Sequence, residues 1–204
     1  MADVTLTYKG NTIAEMSDTG TKTLKTSGKY CEGDIGVSYV KPSSGGTSDD
    51  LAIKMITGNG DITELPSDLT EIQSFAFSHC ENLKLTSLPS GITTIYQNAF
   101  EDCSNLALTS LPNNLTLIDY RAFVHCKNIS LTYLPESITK IGAYAFEFCQ
   151  LTTITFKGTP AIVGTNVFAN CPKLTTINVP WAEGAVANAP WGAKNATINY
   201  NYTE

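Results

Sequence analysis

The chain is poor in positive charge, in histidine and in long apolar runs. It has only 13 Lys+Arg in 204 residues, set against 19 Asp+Glu, for a net charge of −6. With no basic run to neutralise phosphates, a nucleic-acid backbone is excluded as an expected partner. No apolar stretch approaches the roughly 20 residues that span a bilayer, so membrane insertion is not expected. Two histidines and no CxxC or HxxxH pairing leave metal chemistry without its usual ligand spacing. Nucleophile-elbow, phosphate-loop, dinucleotide and zincin motifs are also missing, so neither an enzyme nor a cofactor is expected. The start, MADVTLTYKG, lacks a charged segment followed by an apolar one and does not read as a secretory leader.

A repeat occupies most of the chain. Leu65-Pro66, Leu88-Pro89, Leu111-Pro112 and Leu134-Pro135 recur every 23 residues. Phe77, Phe100, Phe123 and Phe146 keep the same step, and Phe168 follows after 22. Cys80, Cys103, Cys126, Cys149 and Cys171 run beside them, as do Ile72, Ile95, Ile118, Ile141 and Val163. One such unit cannot bury its own apolar side, whereas stacked units bury columns of like side chains. The expected unit is one short strand, such as LKLTSLP (83–89), a turn at the proline, and a short helix-like stretch around ITTIYQNAFEDC (92–103). The strands would form a parallel ladder with a spacing of about 4.8 Å.

The cysteine column reads as buried thiols, since a reactive group has no reason to occur five times at a fixed step. Disulfides between adjacent rungs remain a geometric alternative. The residue before each cysteine runs His79, Asp102, His125, Phe148, Asn170. If this side is helical, rungs stand about 8–10 Å apart, too far for those side chains to form a site. The column is therefore read as exposed variation.

The unit pattern LTSLPxGITxIxxxAFxxCxNL, matched best by IGAYAFEFC (141–149), resembles the BspA-like leucine-rich repeats of bacterial surface proteins, over about residues 59–180. The resemblance implies an α/β repeat solenoid, a right-handed leucine-rich-repeat coil of about five units of 22–23 residues. It further implies protein binding and adhesion rather than catalysis. The chain departs from the family in its earlier strands. LTTITFK (151–157) and LTTINVP (174–180) follow the usual pattern, whereas LKLTSLP, LALTSLP and ISLTYLP shift the middle apolar residue by one, to Leu85, Leu108 and Leu131. A one-residue shift changes the face a strand residue meets. Either a bulge keeps these leucines inside, or they form an exposed stripe and Thr86, Thr109 and Thr132 point inward.

The expected organisation is a small β module at 1–40, a flexible Ser/Gly/Asp-rich linker at 41–50, the solenoid at 51–180 and a C-terminal cap at 181–204. VTLTYKGNTIAEM (4–16), TKTLKT (21–26) and DIGVSYV (34–40) read as strands, and Cys31 stands off the column. The N-terminal block loosely resembles modules of gut phage and prophage virion proteins. That resemblance implies an alternative role as a tail-associated structural or host-recognition component. Trp181 and Trp191 read as packing at an open solenoid end, with an aromatic sugar platform as the alternative.

The expected partner is a protein or glycan met by the outward strand face, with Lys84, Ser87, Ser110, Ser130, Tyr133, Thr155 and Asn178 as candidate contacts and Tyr133 as anchor. Lys84 and Ser130 share that face with Ala107, Thr152 and Thr175. The expected location is extracellular, at the cell surface or on a virion.

Overall fold

A closed circuit of about 23 residues leaves two kinds of backbone to be satisfied, straight segments and corners, and the chain solves both by bonding along the coil axis. The computed structural model describes the backbone of the strands before residue 59, then Leu65 and residues 69–203 apart from Asn82. Cys31 and the expected linker at 41–50 lie outside the described residues. Strands β1 (Val4–Tyr8) and β2 (Asn11–Met16) pair antiparallel, as do β3 (Thr19–Thr26), β4 (Gly33–Val40) and β5 (Ala52–Gly58) in succession. β1 to β4 fall where the alternating segments predict them, and β5 is an additional strand.

From β5 onward the pairing turns parallel. β6 (Glu71–Ile72), β7 (Thr94–Ile95), β8 (Leu117–Ile118), β10 (Lys140–Ile141) and β12 (Ile162–Val163) form one ladder, with Ile72, Ile95, Ile118, Ile141 and Val163 in register. A second ladder joins β9 (Tyr133–Leu134), β11 (Thr153–Phe156), β13 (Thr176–Asn178) and β14 (Thr197–Asn199). The last of these adds a sixth rung to the five expected.

Phe77, Phe100, Phe123, Phe146 and Phe168 stack down the interior, with ring centroids 5.1, 5.2, 5.3 and 5.8 Å apart and nearly parallel planes. All five are fully buried, each stabilising the coil by about 1.5–3 kcal/mol. Packing at crystal-like density depends on every rung carrying the same shape.

The expected helix-like stretch is instead a run of turns, and among the described residues no α-helix occurs. Two residues per unit adopt the left-handed conformation. One column is Phe75, Asn98, Arg121, Tyr144 and Asn166; the other is His79, Asp102, His125, Phe148 and Asn170, all with φ between 53° and 61°. A left-handed residue cannot propagate a right-handed helix. Its amide is instead aimed along the coil. Asn98, Phe100 and Asp102 donate to the carbonyls of Tyr120, Ala122 and Val124 one rung away, while the intervening Ala99, Glu101 and Cys103 donate three residues back within their own unit. Alternate amides thus close the corner and join the rungs, so the corners stack at strand pitch.

The thiols complete this arrangement. Cys103, Cys126, Cys149 and Cys171 donate from Sγ to the carbonyls of Phe77, Phe100, Phe123 and Phe146 in the preceding unit, at 2.9, 3.0, 3.2 and 3.1 Å. The position asks for a small side chain that also carries a donor. All five column cysteines, Cys80 included, are thiols outside any disulfide, which disposes of bridges between rungs.

The displaced leucines are inside. Leu85, Leu108 and Leu131 are 0%, 0% and 1% exposed, and Thr86, Thr109 and Thr132 face solvent. The early units bury positions 83, 85 and 88 and the later ones 151, 154 and 156. Both place three apolar side chains across six residues and differ only in which gap holds the extra outward residue, so the slack moves along the strand and the face is preserved. At the C-terminal end Phe156, Phe168, Trp181 and Trp191 make an aromatic cluster with centroids 5.1 to 6.3 Å apart. Trp181 and Trp191 are 6% and 0% exposed; they cap the core and offer no platform.

Burial raises the thiol of Cys80 from 9.0 to about 11 and that of Cys171 to about 12, and raises Cys103, Cys126 and Cys149 further. The unfolded chain therefore loses thiol protons first as pH rises, and alkali favours unfolding. The urea midpoint should fall progressively above about pH 9 and fall less steeply in Cys126→Ala. Midpoints measured across this range check it.

Candidate functional site

The strand side presents one outward position after another at rung spacing. Of the seven candidate contacts, Lys84, Ser87 and Ser130 are exposed and Ser110 and Tyr133 half-buried. The Lys157 ammonium lies 5.6 Å from the Tyr133 ring centroid, a distance at which the ring face attracts a cation. Neighbouring outward positions are mostly hydroxyls, including Thr109, Thr132, Thr152 and Thr175.

Thr155 and Asn178 sit differently from the surface role expected of them. They are 9% and 7% exposed. Tyr133, Thr155, Asn178 and Asn199 share one register column. Asn178 Nδ2 donates to Thr155 Oγ1 at 3.1 Å, and Asn199 Nδ2 donates to Asn178 Oδ1 at 2.8 Å. Side chains of this length, stacked about 4.8 Å apart, shield one another, and their polar atoms are satisfied along the axis.

The column before the cysteines requires a correction. Because the corners are turns at strand pitch rather than helices, its members touch. His79 Nδ1 lies 3.2 Å from Asp102 Oδ2, and His125 Nδ1 lies 2.7 Å from Asp102 Oδ1. The His125 ring meets Phe148 edge-on at 4.6 Å. Two imidazoles share one carboxylate, and no group of three His, Cys, Asp or Glu among the described residues could hold a metal ion. The residue types have a local cause: Asn, Asp and His are the non-glycine residues enriched in the left-handed region. That enrichment was the signal available in the sequence.

Sequence reasoning passed over a second feature. On the turn edge the Arg121 guanidinium carbon lies 5.4 Å from the Tyr120 ring centroid and 5.6 Å from that of Tyr144. Tyr120 is 39% exposed, and Phe75 and Phe148, 46% and 40% exposed, lie on the same edge.

The pattern of the BspA type leucine rich repeat region matches residues 59–177 in six copies. The chain belongs to that family. Two solved leucine-rich repeat proteins resemble this BspA-type coil. One, TpLRR from T. pallidum, is 26% identical, with 82% of this chain and 80% of that one covered and a TM-score of 0.59. The other, from Bacteroides ovatus ATCC 8483, is 21% identical, covers 70% and 45% respectively, and has a TM-score of 0.45. No curated protein matches the chain. The six copies end within β13, and β14 extends the strand ladder by one rung beyond the matched region. No helix among the described residues is long and apolar enough to cross a membrane.

Asn178→Ala should cost about 1–2 kcal/mol, because it leaves the buried Thr155 hydroxyl without its partner while the exposed Asn199 amide turns to water. Denaturant titration checks this. His79→Val should cost about 1–2 kcal/mol through left-handed strain, whereas His79→Asn, which also removes the imidazole, should stay within about 0.5 kcal/mol. The pair separates a conformational role from an imidazole-specific one.

Proposed function

We propose that the solenoid is a non-enzymatic interaction and adhesion module that works outside the cell or at its surface and binds a protein partner through its strand face. The observation that carries this is the run of outward strand-side positions, mostly exposed hydroxyls that recur once per unit, with Tyr133 and Lys157 over its ring among them. Such a surface suits a broad, hydrogen-bonded contact rather than an enclosed pocket. Tyrosine supplies the rigid, partly apolar anchor such contacts concentrate on. Membership of a repeat family that is typical of surface or secreted proteins supports the location. The stacked geometry supports the rigidity, since neighbouring rungs are bonded along the axis at the corners and through the first ladder. Thr155 and Asn178 belong to the coil's cohesion, so the proposed contact centres on Lys84, Ser87, Ser110, Ser130 and Tyr133.

The test is a biolayer screen of the chain against extracellular-matrix proteins, followed by Tyr133→Ala. Binding to a matrix protein should weaken by at least about tenfold with the melting temperature unchanged. Binding that survives Tyr133→Ala intact would move the interface off this face.

A further inference from the structure

Among the described residues the most exposed aromatics, Phe75, Tyr120 and Phe148, sit on the turn edge. Three tyrosines climb it diagonally, one rung and one position at a time: Tyr96, Tyr120 and Tyr144. Tyr120 and Tyr144 meet edge-on with centroids 6.0 Å apart. The Arg121 guanidinium stands against both rings, and its Nε is buried with no hydrogen-bond partner. Tyr144 is fixed further by Asn166 Nδ2, which donates to its hydroxyl at 3.1 Å. Beside it Gly142 lets two rungs close up, since a Cβ there would stand 2.4 Å from the Tyr120 nitrogen. These rings are held rigidly while Tyr120 remains open to solvent.

The charges on this edge are already matched. The Asp119 carboxylate lies 3.9 Å from Lys140 Nζ and accepts the Tyr120 amide at 2.8 Å. The Tyr96 hydroxyl hydrogen-bonds Glu71. Arg121 is spread against π faces. Carboxylates and cations alternate here and the Arg121 cation lies against two rings, so the edge presents no block of one sign to an acidic or a basic partner. What it offers is a fixed aromatic face flanked by a carboxylate and the exposed amide of Gln97. An aromatic ring with an apolar body and a polar rim complements a ligand with apolar C–H faces and neutral hydroxyls at its perimeter. We propose that the turn edge around Tyr96, Tyr120, Arg121 and Tyr144 binds neutral saccharides, with Tyr120 as the stacking face and Asp119 and Gln97 bonding sugar hydroxyls.

This site lies apart from the strand face assigned to a protein partner, so either assignment can fail alone. The experiment is affinity gel electrophoresis of the full chain in mixed-linkage β-glucan, mannan and arabinoxylan, with heparin and polylysine as charged probes and circular dichroism confirming the fold of each variant. At least one neutral polysaccharide should retard the chain. Tyr120→Ala should weaken that retardation by at least about tenfold, while Tyr120→Phe and Tyr133→Ala leave it within about twofold. No retardation by any of the three, retardation untouched by Tyr120→Ala, or a response to heparin or polylysine alone overturns the proposal.

Discussion

Everything in this coil depends on amides that bond along its axis at the corners as well as in the strands. A corner built as a helix would satisfy its amides internally and hold its neighbour at helix-packing distance. A corner built from alternating left-handed residues sends every second amide to the next rung, as Asn98, Phe100 and Asp102 do. Both sides of the circuit then share one pitch. The stacked phenylalanines, the thiol-to-carbonyl bonds and the contacts among His79, Asp102 and His125 follow from that pitch.

The same constraint explains why the unit tolerates so much variation outside and so little within. Inside, Phe100 and Phe123 must repeat because each ring is the floor for the next. The cysteine must stay small and keep its donor because the carbonyl it meets is buried. Outside, the left-handed positions accept Asn, Asp, His, Phe, Arg and Tyr alike. Each of these bears some conformational strain, which the fixed axial bonds oppose. The aromatic turn edge arises from that freedom: Tyr144 and Arg121 occupy positions where the backbone would prefer asparagine.

The period made the columns legible in the sequence, and with them the ladder, the buried cysteines and the cap role of Trp181 and Trp191. The corner was not legible, because Ala-Phe-x-x-Cys has apolar spacing that a helical turn would also produce. The left-handed signature in Asn98, Asp102 and Asn166 was diluted by Phe75, Arg121 and Phe148 in the same columns. Whether Leu85, Leu108 and Leu131 lay inside could not be settled by pattern, since two bulge positions bury equal numbers of side chains. On the strand face, Lys84, Ser87 and Ser130 are exposed, as their outward position implies. Thr155 and Asn178 are buried instead, and their shielding comes from the length of their neighbours along the column rather than from their own place in the strand.

The second ladder has a mechanical consequence. It begins only at β9, so the junctions between earlier units hold on that side by scattered bonds such as Ala107 to Leu85 and Ser130 to Leu108, whereas later junctions carry paired strands. Tension applied across the ends would load every junction equally, because they lie in series. The coil would part first on its amino-terminal side and leave the capped half wound, like a spring whose wire is thinner at one end.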